Sequence, residues 1–264
     1  MTLLVDNVVP FTAQGRLDPA MLRAHVLWLV GHGVSGFLPG ASEMLTLDAK
    51  EKEQVIEVVS DAAVGRTVLY PCWDPASGRV VKLAEAAAAH GAAGVVVPPP
   101  LLHPAPEDAI VEWYRALARN VKVPLYAWHH PRFGNDLSPA LIGRLRAEAG
   151  VEGWLDASGD FFRIRRLAAT HPGRAFAFAD DEPQVAGAAV AGVVSRLANC
   201  WPDLVVRAFV HKEPLADAVH LRAQHLARAG GVPALKRLLG MPMRLPMVGV
   251  DEGELARLPA AGFP

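Results

Sequence analysis

The side chains able to do chemistry gather in a few short stretches of this chain. His129 and His130 adjoin in WHHP, and Asp180 and Asp181 adjoin in FADDEP. Imidazole titrates near neutral pH, so a histidine beside an acid is a candidate for proton transfer. Side chains alternate along an extended segment, which puts Tyr126, Trp128 and His130 on one side. His130 is therefore read as a candidate acid/base, or else as a rim residue bonded to a neighbouring carbonyl. One of the two aspartates is expected to cap the helix that follows. The other, with Asp181 as the candidate, would pair with His130 or meet a ligand. Glu43 reads as an acid at the same mouth or as a residue on the approach to a helix. His129, His130, Asp180 and Asp181 could together ligate a divalent cation. No H-x-H or H-x-x-x-H pair on one element supports that, so neither a metal nor a cofactor is expected.

Trp73 and Trp128 would give such a mouth an apolar lining suited to an apolar or aromatic ligand, or they fill volume. Cys72 reads as a small core residue rather than a nucleophile. Ser158, in the tail of EGWLDASGD, reads as a turn and cap residue whose backbone could touch a small anion. Bulk composition narrows the classes. The chain has 264 residues, 52% apolar and 20% charged, with 26 basic and 27 acidic residues. That balance gives no polyanion-binding surface, so no nucleic-acid partner is expected. Neither a signal peptide nor a membrane-spanning run is read at or after MTLLVDNVVPF. Two cysteines, Cys72 and Cys200, form no metal or redox spacing, and a reduced, cytoplasmic setting follows as the expectation.

These residues need strands to carry them. Short β-branched runs alternate with helical ones. The expected strands are LVDNVVPF, GVSGFLPG, TVLYPCW, AGVVVPP, VPLYAWHH, EGWLDAS, AFAFAD and AGVVSRLANC. Most lack strict alternation, as parallel strands buried on both faces do. Helix starts lie between them. Asp18-Pro19 precedes a stripe of Leu22, Val26, Leu29 and Val30 that ends at Gly31 and Gly33. Asp48 and Glu51 are spaced for a capping box. Ser138-Pro139 and Glu182-Pro183 each predict a further helix. Eight such repeats predict an α/β chain folded as a (β/α)8 TIM barrel over residues 1–213, with a short C-terminal helical extension over 214–264. An open doubly wound sheet would show a glycine fingerprint after the first strand, and VVPFTAQG has none. In a barrel, ligands meet the C-terminal ends of the strands, where all of these residues fall.

Several stretches, in order, resemble the dihydrodipicolinate synthase / N-acetylneuraminate lyase family. They are VVPFTAQGRLD, GVSGFLPGASEMLTLDAKEK, VPLYAWHHPRFGNDLSPALIGRL, EGWLDASGD, GVVSRLANCWP and GVPALKRLLGMPMRLPMV. The resemblance implies a barrel in which a lysine forms an imine with a 2-oxo acid such as pyruvate. It also implies a tyrosine on strand five, a Thr-Thr pair after strand two and tyrosines after strand four. Matched residue by residue, the lysine falls on Leu155 and the strand-five tyrosine on Trp128. The Thr-Thr pair falls on Gly40-Ala41, and the strand-four tyrosines on Leu101 and Leu102. The family's arginine after strand five is met, with a shift, by Arg132. The expected mouth is thus Glu43, Trp73, Trp128, His129, Arg132, Leu155 and Ser158 around His130 and Asp181.

Two readings stay open. One is a lyase- or aldolase-like enzyme acting on a small oxo acid or related carboxylate without an imine. The other is a non-catalytic barrel that binds a small ligand or a partner. The resemblance also implies self-association, as a homodimer or homotetramer, with the apolar LLHP stretch after strand four as a contact.

Overall fold

The protein is described by a computed structural model that covers residues 1–264 except Leu102 and Phe133. Eight parallel strands close into a barrel in sequence order. They are β1 (Thr2–Val5), β2 (Gly36–Phe37), β3 (Thr67–Pro71), β4 (Gly94–Val97), β5 (Leu125–His129), β6 (Gly153–Asp156), β7 (Ala175–Phe178) and β8 (Gly192–Ser195). Helices α1 (Pro19–Gly31), α2 (Ala49–Ala62), α3 (Ser77–Ala89), α4 (Glu107–Ala118), α5 (Pro139–Glu148) and α6 (Phe161–Thr170) connect the first seven strands. After β8 come α7 (Pro202–Phe209), α8 (Ala216–Ala229), α9 (Val232–Leu238) and the short α10 (Glu252–Leu255). No helix among the described residues is long and apolar enough to cross a membrane.

Local chemistry starts the helices where the sequence places their signals. Asp18 accepts from the Met21 N–H at 3.0 Å, and Ser138 from the Leu141 N–H at 3.1 Å. Asp48 and Glu51 make both bonds of a capping box, at 2.9 and 3.0 Å. The helix expected after Glu182-Pro183 is instead a single 3-10 turn, Pro183–Gly187. Glu182 makes no side-chain cap bond there, and the chain enters β8 before a longer helix could develop. The first strand is also shorter than LVDNVVPF. It ends at Val5, and the segment beyond it turns back so that Phe11 bridges Leu17.

The interior is filled in alternating layers, as such barrels require. The even strands open with Gly36, Gly94, Gly153 and Gly192. Leu4 and Tyr126, from odd strands, crowd the first three, and Phe176 crowds the fourth. A Cβ on Gly94 would stand 2.9 Å from the Tyr126 ring, and one on Gly192 would stand 2.9 Å from the Phe176 ring. Leu155 is aligned with Trp128 on β5 and with Phe176 on β7. Tyr126 and Phe176 meet edge to face with ring centroids 5.8 Å apart. Aligned neighbours share a face, so Leu155 points into the barrel. Its neighbour Trp154 points outward and meets His171 at the end of α6.

Candidate functional site

A cavity of about 480 Å³ opens at the C-terminal ends of the strands. Trp73, Trp128, Phe178 and Ala157 form its apolar part, and the two indoles meet edge to face with centroids 4.9 Å apart. His130 and Arg132, beyond β5, stand on one side. Asp181 and Arg196, beyond β7 and β8, stand on another. Ala41 and Ser42 enter from the loop after β2. The last part of the wall comes from the extension, as Gly230 to Pro233 and Met247.

His130 is held down to a pKa of about 4, first by burial and then by the positive charges of Arg132 and Arg196. It is therefore neutral at physiological pH. The Arg132 backbone N–H donates to its Nδ1 at 3.3 Å. With Nδ1 accepting, the ring proton belongs on Nε2, which makes His130 an uncharged hydrogen-bond donor. Its ring lies 5.9 Å from that of Trp128 and 6.1 Å from that of Trp73. No ion pair holds the Arg132 guanidinium among the described residues. Arg196 is different: it pairs with Asp181 at 2.9 Å and sits over the Phe178 ring, 5.4 Å from its centroid.

Of the residues expected at the mouth, Trp73, Trp128, His130, Arg132, Ser158 and Asp181 line the cavity together. Three others do not. Glu43 is buried, pairs with Lys236 of α9 and accepts the Val9 N–H at 2.7 Å. Burial pushes its carboxyl above the usual range and the Lys236 amine below its own, while each partner's charge opposes the shift. It joins α9 to the loops after β1 and β2 rather than facing a ligand. His129 points away from His130, into a contact with Asp136 at 3.5 Å beneath the Leu137 N–H. Leu155 does not line the cavity and is 1% exposed.

The aspartates at the end of β7 act otherwise than expected. Asp180 caps no helix after its own strand. It accepts from Ser195 Oγ at 2.5 Å and from the N–H groups of Arg196 and Leu197, and so caps the 3-10 turn after β8. Asp181 pairs with Arg196 instead of His130. Ser158 lines the cavity, but its N–H is committed to Asp156 Oδ1 at 2.9 Å, which removes it as an anion contact. Among the described residues no group of three or more His, Cys, Asp or Glu is placed to hold a metal ion. Burial pushes the Cys72 thiol up to about 12, so it is no nucleophile near neutral pH. Of the two leucines expected after the fourth strand, Leu101 packs against the core and Leu102 lies outside the described residues.

Among the described residues, no lysine lines the cavity. Two lysine amines nevertheless come close behind the wall. Lys236 meets Glu43, and Lys52 donates to the Trp73 carbonyl at 3.0 Å. Asp6, Ser42 and Arg196 also stand at this mouth without a motif to announce them. An aspartate inside the apolar run LLVDNVV and an arginine directly after GVVS were the available signals.

Comparison with known proteins places these features in context. Residues 1–262 match the dihydrodipicolinate synthetase family. An uncharacterised DapA-like lyase of Halobacterium salinarum is 31% identical over 274 aligned positions, covering 96% of this chain and 90% of the relative. A 4-hydroxy-tetrahydrodipicolinate synthase of Methanospirillum hungatei is 28% identical, covering 92% and 90%. The crystal structure of dihydrodipicolinate synthase from Acinetobacter baumannii complexed with pyruvate shares the fold, with a TM-score of 0.83, 22% identity and coverage of 97% and 95%.

Proposed function

Because the chain belongs to the dihydrodipicolinate synthetase family, we propose that it is a lyase acting on a small oxo acid or related carboxylate without an imine. The observation that carries this reading is the pairing of a neutral His130 with Arg132 in a cavity whose described lining residues include no lysine. Leu155, in EGWLDASGD, stands in this reading where the family keeps its lysine, and a hydrocarbon cannot form the imine. Charge that the imine would have absorbed must then be met by hydrogen-bond donors. The Arg132 guanidinium supplies a fork for a carboxylate. His130 supplies an uncharged N–H for a carbonyl oxygen. In a retro-aldol cleavage the C3–C4 bond of a 4-hydroxy-2-oxo acid breaks, and its electron pair moves onto the 2-oxo oxygen, where His130 and Arg132 receive it. The 4-hydroxyl loses its proton as the aldehyde forms, and the enolate then takes a proton at C3.

The test is a panel of 4-hydroxy-2-oxo acids, with release of the shorter 2-oxo acid followed by coupled reduction. We expect cleavage of at least one member, and a loss of about 10²-fold or more in turnover for His130→Ala. Incubation with pyruvate and borohydride should leave the intact mass unchanged. A stoichiometric adduct on any lysine overturns the imine-free reading. Saturable binding of the panel without turnover would favour the second reading, a non-catalytic barrel that holds a small carboxylate.

A further inference from the structure

Asp6 and Ser42 belong to none of the roles assigned above. Asp6 follows β1 and is 3% exposed. Ser42 follows β2 and is open to the cavity. Ser42 donates to this one carboxylate twice, from Oγ to Oδ2 at 2.5 Å and from its N–H to Oδ1 at 3.3 Å. A serine hydroxyl has one proton and two acceptor sites. With its proton committed to Asp6, Ser42 offers the cavity lone pairs alone. A ligand acceptor placed there would face a second acceptor and lose its water, which is costly; a ligand donor would be satisfied.

Resting on the reading that the cavity takes a small carboxylate, we infer that Ser42 seated on Asp6 selects ligands that carry a hydroxyl and accepts that hydroxyl's hydrogen bond. The surroundings set the ligand's direction. Arg196 is the guanidinium whose charge acts on Asp6, and it already pairs with Asp181 and approaches Asp180 at 4.0 Å. A second carboxylate from the ligand is disfavoured on that side, which leaves Arg132 to hold it. The ligand class is therefore a hydroxy acid, with its carboxylate at Arg132 and its hydroxyl at Ser42. Burial lifts Asp6 to about 6, against the opposing effects of the Ser42 hydrogen bonds and of Arg196, with Glu43 adding to the rise. In the cleavage described above, the hydroxyl proton passes to Ser42 Oγ as Ser42's own proton passes to Asp6, and no charge is created on the serine.

Matched probes test this: lactate against pyruvate, 2-hydroxyglutarate against 2-oxoglutarate, and 4-hydroxyvalerate against levulinate, each titrated calorimetrically into the whole protein. The hydroxy member of at least one pair should bind roughly five- to tenfold more tightly at pH 7.5. Ser42→Ala should abolish that preference, by weakening binding of the hydroxy member and relieving the penalty on the oxo member. Asp6→Asn offers an amide donor to Ser42, frees its hydroxyl proton for the cavity, and should weaken or reverse the preference. Equal binding of both members in every pair overturns the inference and leaves the carboxylate-lyase reading intact. A preference that survives Ser42→Ala also overturns it. Failure of every probe to bind counts against both.

Discussion

Leu155 and Trp128 are aligned across β5 and β6, so whatever replaces one leans on the other. Leu155→Lys would put an amine in the barrel interior at a position 1% exposed, aligned with Trp128. A buried amine without a partner loses its charge or destabilises the fold. We expect loss of stability and at most a trace of borohydride-trapped pyruvate; robust aldol cleavage by that single variant would show that the remaining pocket is intact for imine chemistry. His25 is a second residue with a measurable consequence. It is wholly buried under Trp28 and Phe263 and bonds the Asn199 carbonyl at 3.1 Å. Burial lowers its pKa from 6.5 to about 4. The unfolded chain therefore takes up a proton below about pH 6.5 that the folded chain refuses until about pH 4. Stability is lost as pH falls through that window, and His25 alone accounts for roughly 3 kcal/mol of it. Urea midpoints measured at pH 7 and pH 4.5 should differ less in His25→Leu than in the unaltered protein, even though the variant is weaker at pH 7.

Among the elements, those whose signals are local were legible in the sequence. Asp18, Asp48 with Glu51, and Ser138 all cap within three residues of themselves, so spacing alone reveals them. The site was legible only in part because its decisive contacts are not local. Asp180 answers to Ser195 and the turn beyond it, Asp6 answers to Ser42, and Glu43 answers to Lys236 near the other end of the chain. Periodicity cannot see such pairings, since they arise only when β1 meets β2, β7 meets β8 and the extension docks on the barrel. Glu51 belongs to both categories. It completes the cap of α2, and it also receives Arg244 in a fork at 2.6 and 3.1 Å. Arg244 lies over the Phe11 ring as well and donates to the carbonyls of Thr46 and Gly15. This one side chain ties the extension to α2 and to the loop after β1. Because the pair is largely shielded from solvent, Arg244→Ala should cost about 2–3 kcal/mol in a chemical-denaturation assay. Arg244→Lys, which keeps the charge without the fork, should recover only part of that.

At the scale of the whole molecule, we propose that the protein associates with itself through the face carrying the LLHP stretch after β4, where Leu101 is partly buried and His103 exposed. Sedimentation at micromolar concentration should give a dimer or tetramer; a species that stays monomeric would remove the proposal. A different consequence follows from the wall that Gly230 to Pro233 and Met247 contribute to the cavity. These residues are far along the chain from Trp73 and Trp128, and they reach the mouth only while α8 and α9 are docked. Occupancy and docking are then linked equilibria, and linkage is reciprocal: what favours one must favour the other by the same free energy. A saturating ligand should slow amide exchange across residues 216–240 in particular, and loosening of the tail by Arg244→Ala should lower affinity although Arg244 is not among the residues lining the cavity. The C-terminal segment would then work as a latch, whose grip reads out whether the barrel is full.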